Sequence, residues 1–225
     1  MTAPSKPTLK SFTASTARPL PVIVLADTSG SMGQDGKIEA LNGALAEMVR
    51  SFAEADAPRA EIHVAVITFG GMALLHQPLQ PAAKTQLGPL TAAGGTPLGG
   101  ALELARELLE DRERVPGRAY TPALVLVSDG LPDPGWEAPL ESLLGSERAR
   151  KAQRFALAIG SDADEAMLAR FLANPEARVL HAADARQVRG FFRWVTMSVT
   201  RRSKSATPNE PPPQELPPVD LDALL

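Results

Sequence analysis

The chain has 225 residues, 44% of them apolar and 22% charged, with a formal net charge of −3 and no cysteine. That size and balance suit one globular α/β domain with loose ends. The charge gives no support to a nucleic-acid surface, and the missing cysteine excludes disulfides, thiolate zinc sites and a cysteine nucleophile, in keeping with a reducing cytosol.

Residues 1–18 are rich in Ser, Thr and Pro and lack the apolar middle of a secretory signal, so they read as a flexible extension. Leu20–Ala26 is a continuous apolar run, as expected of a strand covered on both faces. Ile38, Leu41, Leu45, Met48, Val49 and Phe52 recur at three- and four-residue steps and form one stripe of a helix. Ala60–Gly70 is a second strand. Ala73–Leu79 follows it too closely for a parallel crossover, so that pair is expected to be antiparallel, and Pro78 and Pro81 suit an edge. Leu98, Ala101, Leu102, Ala105, Leu108 and Leu109 mark a second amphipathic helix. Ala123–Gly130 and Phe155–Gly160 are two further buried strands, with a proline-rich loop and helix between them. Asp164–Leu172 reads as a helix, Arg178–Leu180 as a short strand, and Val188, Phe191, Phe192, Val195 and Val199 as the face of a last helix.

The pattern stops after Thr200. Proline is dense from Arg201 to Leu225, which reads as a tail whose Val219, Leu221, Leu224 and Leu225 are expected to anchor on a partner. No apolar run approaches the ~18 residues needed to cross a bilayer, so no membrane partner is expected and a cytoplasmic location is. Residues 19–200 thus form the expected domain: α/β, doubly wound, with a mostly parallel sheet and helices on both faces. Such folds gather ligands at the carboxyl ends of their strands. Asp27 directly follows the first strand and Asp129 ends the strand ALVLVSD, which points both acids to one rim.

Asp27-Thr-Ser29-Gly-Ser31 is by itself good turn and capping material. Against a purely structural role, an acid at the end of a buried strand needs a partner, and neither Asp27 nor Asp129 has Lys or Arg beside it in the sequence. Thr96-Pro97 reads as a helix start, with Thr96 as N-cap and Pro97 as the first helical residue; a hydroxyl there can cap and also face a site. The surrounding glycines do not make a phosphate loop, because no Lys-Ser/Thr pair follows. Asp133 reads as a loop acid behind the site. His63, His76 and His181 lack a partner at metal-ligand spacing and are assigned no role. Collected, Asp27, Ser29, Ser31, Thr96 and Asp129 are all oxygen donors, which select Mg²⁺, Ca²⁺ or Mn²⁺ over zinc or copper. With only two carboxylates, magnesium with retained waters fits better than a calcium cage.

In this order and context the five positions resemble the metal-ion-dependent adhesion site of von Willebrand factor type A domains. ADTSGSM, VAVITFG, GGTPLGGALELA, LVSDGLP and FFRWVTMSV further resemble the TerY-type proteins of bacterial tellurite-resistance clusters. The resemblance implies a six-stranded, mostly parallel sheet with one antiparallel edge strand. It implies an ion held by Ser29 and Ser31 directly, and by Thr96, Asp27 and Asp129 directly or through water. It also implies a protein partner that completes the coordination with an Asp or Glu, near a kinase and a phosphatase in a stress-response assembly. The expectation is therefore an adaptor and not an enzyme. The alternative is a magnesium-dependent phosphohydrolase of the haloacid-dehalogenase type, which needs a second Asp where this chain has Ser29. It also needs a lysine near the later acid, and Val125–Trp136 has none.

Overall fold

The computed structural model describes residues 17–55 and 57–209. The expected tail anchors and most of the N-terminal extension lie outside the described residues. Eleven elements follow one another: β1 (Arg18–Asp27), α1 (Lys37–Ala53), β2 (Ala60–Gly70), β3 (Met72–Pro81), α2 (Leu98–Glu110), β4 (Ala123–Ser128), α3 (Glu137–Gly145), β5 (Gln153–Ile159), α4 (Glu165–Leu172), β6 (Leu180–Ala182) and α5 (Ala185–Lys204). They build a six-stranded sheet in the order β3-β2-β1-β4-β5-β6. Every neighbouring pair is parallel except β2 and β3, so the antiparallel edge falls where the short connection required it.

Alternation along each strand divides the core into two layers. Leu20, Val22 and Val24 join Val125, Val127, Phe155 and Leu157 under α1 and α5. Ile23 and Leu25 join Ala65, Ile67, Leu124 and Leu126 under α2, α3 and α4. Because both faces of β1 and β4 are covered, these strands are continuous apolar runs and not alternating ones.

Several boundaries differ from the sequence reading. The last strand is Leu180–Ala182 instead of Arg178–Leu180, because its ladder with β5 begins at Leu180 opposite Leu157. The helix after Thr96 begins at Leu98, with Pro97 in the capping position and no side-chain cap, so Thr96 is not the N-cap. The last helix continues past Thr200 to Lys204. Arg202 explains the extension. Its side chain is 1% exposed and donates to the carbonyl oxygens of Thr121 and Pro208 and to the Gln153 amide oxygen at 3.3 Å. The first residues of the expected tail are thus packed into the domain.

Candidate metal centre

Residues Val22–Ala26 pair in register with Ala123–Val127, so the ends of β1 and β4 lie side by side. From this central pair the sheet grows outward in opposite directions, which makes the gap above it the topological switch point. Asp27 and Asp129 stand there, 0% and 1% exposed.

Hydrogen bonds tie the polar groups into one array. The Ser29 backbone N–H donates to Asp27 Oδ1 at 2.8 Å, and the Ser128 hydroxyl donates to Asp27 Oδ2 at 2.7 Å. Ser29 Oγ and Ser31 Oγ are 3.0 Å apart, and Ser31 Oγ donates to Asp129 Oδ1 at 2.8 Å. Ser29 stands at the N-cap and Ser31 inside a short 3-10 segment, Gly30–Gly33, whose Met32 is fully buried in the layer under α1. Met32 fixes the turn, and the turn aims the two hydroxyls at the acids.

The Thr96 loop is fastened against this turn by main-chain bonds. Gly30 N–H donates to Gly94 O at 2.9 Å, Ala93 N–H to Thr28 O at 2.8 Å, and Gly71 N–H to Gly95 O at 3.0 Å. Side chains would prevent that approach. A Cβ on Gly70 would lie 2.1 Å from the Thr28 carbonyl oxygen; one on Gly94, where φ is +72°, would lie 2.5 Å from Gly71 Cα. Thr96 is 8% exposed, and its carbonyl accepts from Leu98 N–H and Asp133 N–H, so its hydroxyl is not spent on the helix cap. The Asp133 carboxylate lies against Gly95, behind the loop.

One group was not legible in the sequence. Lys37, the first residue of α1, places Nζ 2.8 Å from Asp129 Oδ2 and is the cation of a partly buried ion pair. Neither acid has a cation beside it in sequence, but the fold supplies one across 92 residues. The signal that could have found it is positional: a lysine at the start of the helix that follows the first strand must sit on the site's rim. Its presence also removes one objection to the phosphohydrolase reading, which had no lysine near the later acid. The other objection, Ser29 where a second Asp is needed, stands.

The donor set suits a hard divalent ion. Four side chains with oxygen donors converge, Thr96 stands on the loop fastened to them, and among the described residues no group of three or more His, Cys, Asp or Glu could hold a metal by itself. Burial pushes the Asp27 carboxyl above its ordinary range despite the hydrogen bonds from Ser29 and Ser128, and the charge of Asp129 adds to the rise. Two buried acids with one partly exposed lysine leave negative charge uncompensated, which a cation relieves. His63, His76 and His181 lie elsewhere, bonded to Glu61, the Gly88 carbonyl and Glu165.

Comparison with known proteins agrees with this architecture. Residues 22–131 match the family model described as von Willebrand factor type A domain. A 146-residue stretch is 31% identical to the magnesium-chelatase 60 kDa subunit of Rhodobacter capsulatus, covering 63% of this chain and 24% of that protein. A second curated relative is matched over only 18% of its length, so the chain spans about a quarter or less of either. Among solved structures, a von Willebrand factor type A protein from Catenulispora acidiphila superposes with a TM-score of 0.64 at 20% identity, over 84% of this chain and 43% of that one. Proximal thread matrix protein 1 from the mussel byssus, solved with a zinc-occupied MIDAS motif, superposes with a TM-score of 0.61 at 15% identity, over 80% of this chain and 48% of that one. At such identities these structures speak for the fold.

Proposed function

On the match of residues 22–131 to the von Willebrand factor type A model, we propose that this chain is a metal-dependent protein-binding adaptor whose docking point is the cluster at the ends of β1 and β4. Asp27, Ser29, Ser31, Thr96 and Asp129 would hold a divalent ion, with magnesium the best match to a donor set of two carboxylates and three hydroxyls. A bound ion supplies an electrophilic position at which a partner's Asp or Glu oxygen can coordinate. The observation that carries this reading is the convergence of four oxygen-bearing side chains at the switch point, with more buried negative charge than Lys37 alone balances.

The chain's own groups support binding over catalysis. Asp27 has both carboxylate oxygens engaged and no exposed surface, so it is a poor nucleophile. Ser29, two residues on, cannot serve as a general acid. What the residues do instead is orient. Ser128 and the Ser29 amide fix Asp27, and Ser31 and Lys37 fix Asp129 from opposite sides. The glycine-lined loop brings Thr96 alongside. Leu131, 71% exposed two residues beyond Asp129, offers apolar contact to whatever docks.

The TerY-type resemblance adds a setting to the proposal, a bacterial stress-response assembly with a kinase and a phosphatase. No helix among the described residues is long and apolar enough to cross a membrane. The test is affinity capture from a bacterial lysate with this chain as bait, read by mass spectrometry in magnesium, in chelator, and with Asp129→Ala. A partner held only by the unmodified bait in magnesium supports the adaptor. Capture unaffected by chelator and by the substitution refutes it.

A further inference from the structure

The two ends of the sheet carry opposite charge. At the carboxyl ends of the strands, residues 27–37, 129–137, 160–165 and 181–186 contain nine Asp or Glu against Lys37 and Arg186. At the other end, Arg18 with residues 54–59, 111–122, 146–154 and 201–209 contains twelve Lys or Arg against five Asp or Glu. This second group is one surface, because its segments bond to each other. Arg18 N–H donates to Arg59 O, Gln153 N–H donates to Pro122 O, and the Arg148 guanidinium donates to the carbonyls of Leu109 and Val115. Arg59, Arg112, Arg150, Lys151 and Lys204 are exposed on it. A chain of net charge −3 has concentrated its cations at the pole opposite the candidate metal centre.

The described chain also finishes there. Asn209 Oδ1 accepts from the Thr121 backbone N–H at 2.9 Å and faces the Thr121 hydroxyl at 3.2 Å. The next residues, EPPPQELPPVDLDALL, carry Glu210, Glu215, Asp220 and Asp222 and no Lys or Arg. The last described residue thus lies on the basic pole, and the sequence that follows it is acidic.

We propose that residues 210–225 dock in cis on this pole, as an acidic strap over Arg112, Arg150, Lys151 and their neighbours. The inference stands independently of the metal reading. Reach does not decide the docking place. Sixteen residues at ~3.1 Å each, the rise of an extended proline-rich chain, span about 50 Å, enough for either pole. Charge decides it. The tether gives the segment an effective concentration on the order of millimolar at the pole, where attraction is local, whereas the far rim presents seven acids besides the buried Asp27 and Asp129 to Asp220 and Asp222. The strap would shield the pole from other anionic surfaces, and an acidic partner would have to displace it.

The absence of cysteine makes the test direct. A single nitroxide is attached through Ala223→Cys in the full chain, and paramagnetic broadening of backbone amide signals is mapped by NMR. At about 0.05 M salt, broadening should centre on Arg112, Arg150 and Lys151. It should fall at least severalfold at about 1 M salt, where the screening length is about 3 Å. The same loss should follow Glu210→Gln, Glu215→Gln, Asp220→Asn and Asp222→Asn combined, which leave every residue of the pole in place. Broadening centred on Gly30, Gly130 and Leu131 would overturn the proposal by placing the segment at the metal centre. Uniform weak broadening, or broadening at the pole that ignores salt and the neutral variant, would overturn it too.

Discussion

Lys37 competes for Asp129 with any ion bound at the same cluster, so Lys37→Met should tighten metal binding. The ammonium lies 2.8 Å from Asp129 Oδ2, and its side chain is 19% exposed while that of Asp129 is 0% exposed. A charge-assisted hydrogen bond of this kind is worth roughly 1.5–3 kcal/mol. Partial exposure and the freedom of the lysine stem to swing into water reduce that to about 1–2 kcal/mol when an ion shares the carboxylate. Removing the competitor should therefore lower the magnesium dissociation constant roughly 5- to 30-fold. Methionine keeps the apolar stem and the helical start. The same substitution leaves Asp129 with only the Ser31 hydroxyl, so the metal-free protein should lose about 1–3 kcal/mol, a melting temperature several degrees lower at this size. The two effects are linked: the ion should recover more stability in the variant than in the parent. Isothermal titration with magnesium, paired with thermal melts in chelator and in magnesium, reads both. Weaker or unchanged binding by the variant would refute the reasoning and make Lys37 a support for the ion.

Asp27→Asn should stabilise the metal-free protein at neutral pH and abolish its metal binding. The folded-state pKa of Asp27 is raised by burial, so its favourable contribution is complete below the unfolded value and lost as pH rises through the folded one. In chelator the parent should accordingly lose stability relative to the variant as pH rises from the unfolded towards the folded value; coincident pH–stability curves would contradict this. Gly94→Ala should cost about 1–3 kcal/mol and loosen the Thr96 loop, because the added Cβ meets Gly71 backbone at 2.5 Å in a left-handed conformation. Faster amide exchange at Gly30 and Ala93 would report it. Ending the chain after Thr200 should destabilise by several kcal/mol through loss of Arg202 and its hydrogen bonds to three acceptors, whereas ending it after Asn209 should be nearly neutral in denaturant melts.

Which features could be read from the sequence depended on their range. The runs Leu20–Ala26 and Ala123–Ser128 announce buried parallel strands, and that alone directs Asp27 and Asp129 to one rim. The single residue between β2 and β3, Gly71, leaves no room for a crossover and forces an antiparallel edge. Lys37 escaped notice because its relation to Asp129 exists only once β1 and β4 lie adjacent. Arg202 escaped for a different reason: Arg201–Leu225 reads as a proline-dense tail with no core of its own, and only the acceptors on Thr121, Pro208 and Gln153 make burial of its guanidinium tolerable. Thr96-Pro97 predicts a cap by chemistry that usually holds. Here the glycine loop's bonds to Thr28 and Gly30 fix the backbone, and the helix starts without a side-chain cap.

The central claim is that Asp27, Ser29, Ser31, Thr96 and Asp129 form one site for one divalent ion. Titration of the metal-stripped chain with Mn²⁺, followed by electron paramagnetic resonance of the free ion, tests it most directly. The account predicts one bound ion per chain, displaced by magnesium, abolished by Asp27→Ala and by Asp129→Ala, and weakened less by Ser29→Ala or Ser31→Ala, with circular dichroism unchanged in all four. Equal binding by the parent and both Asp variants would contradict it.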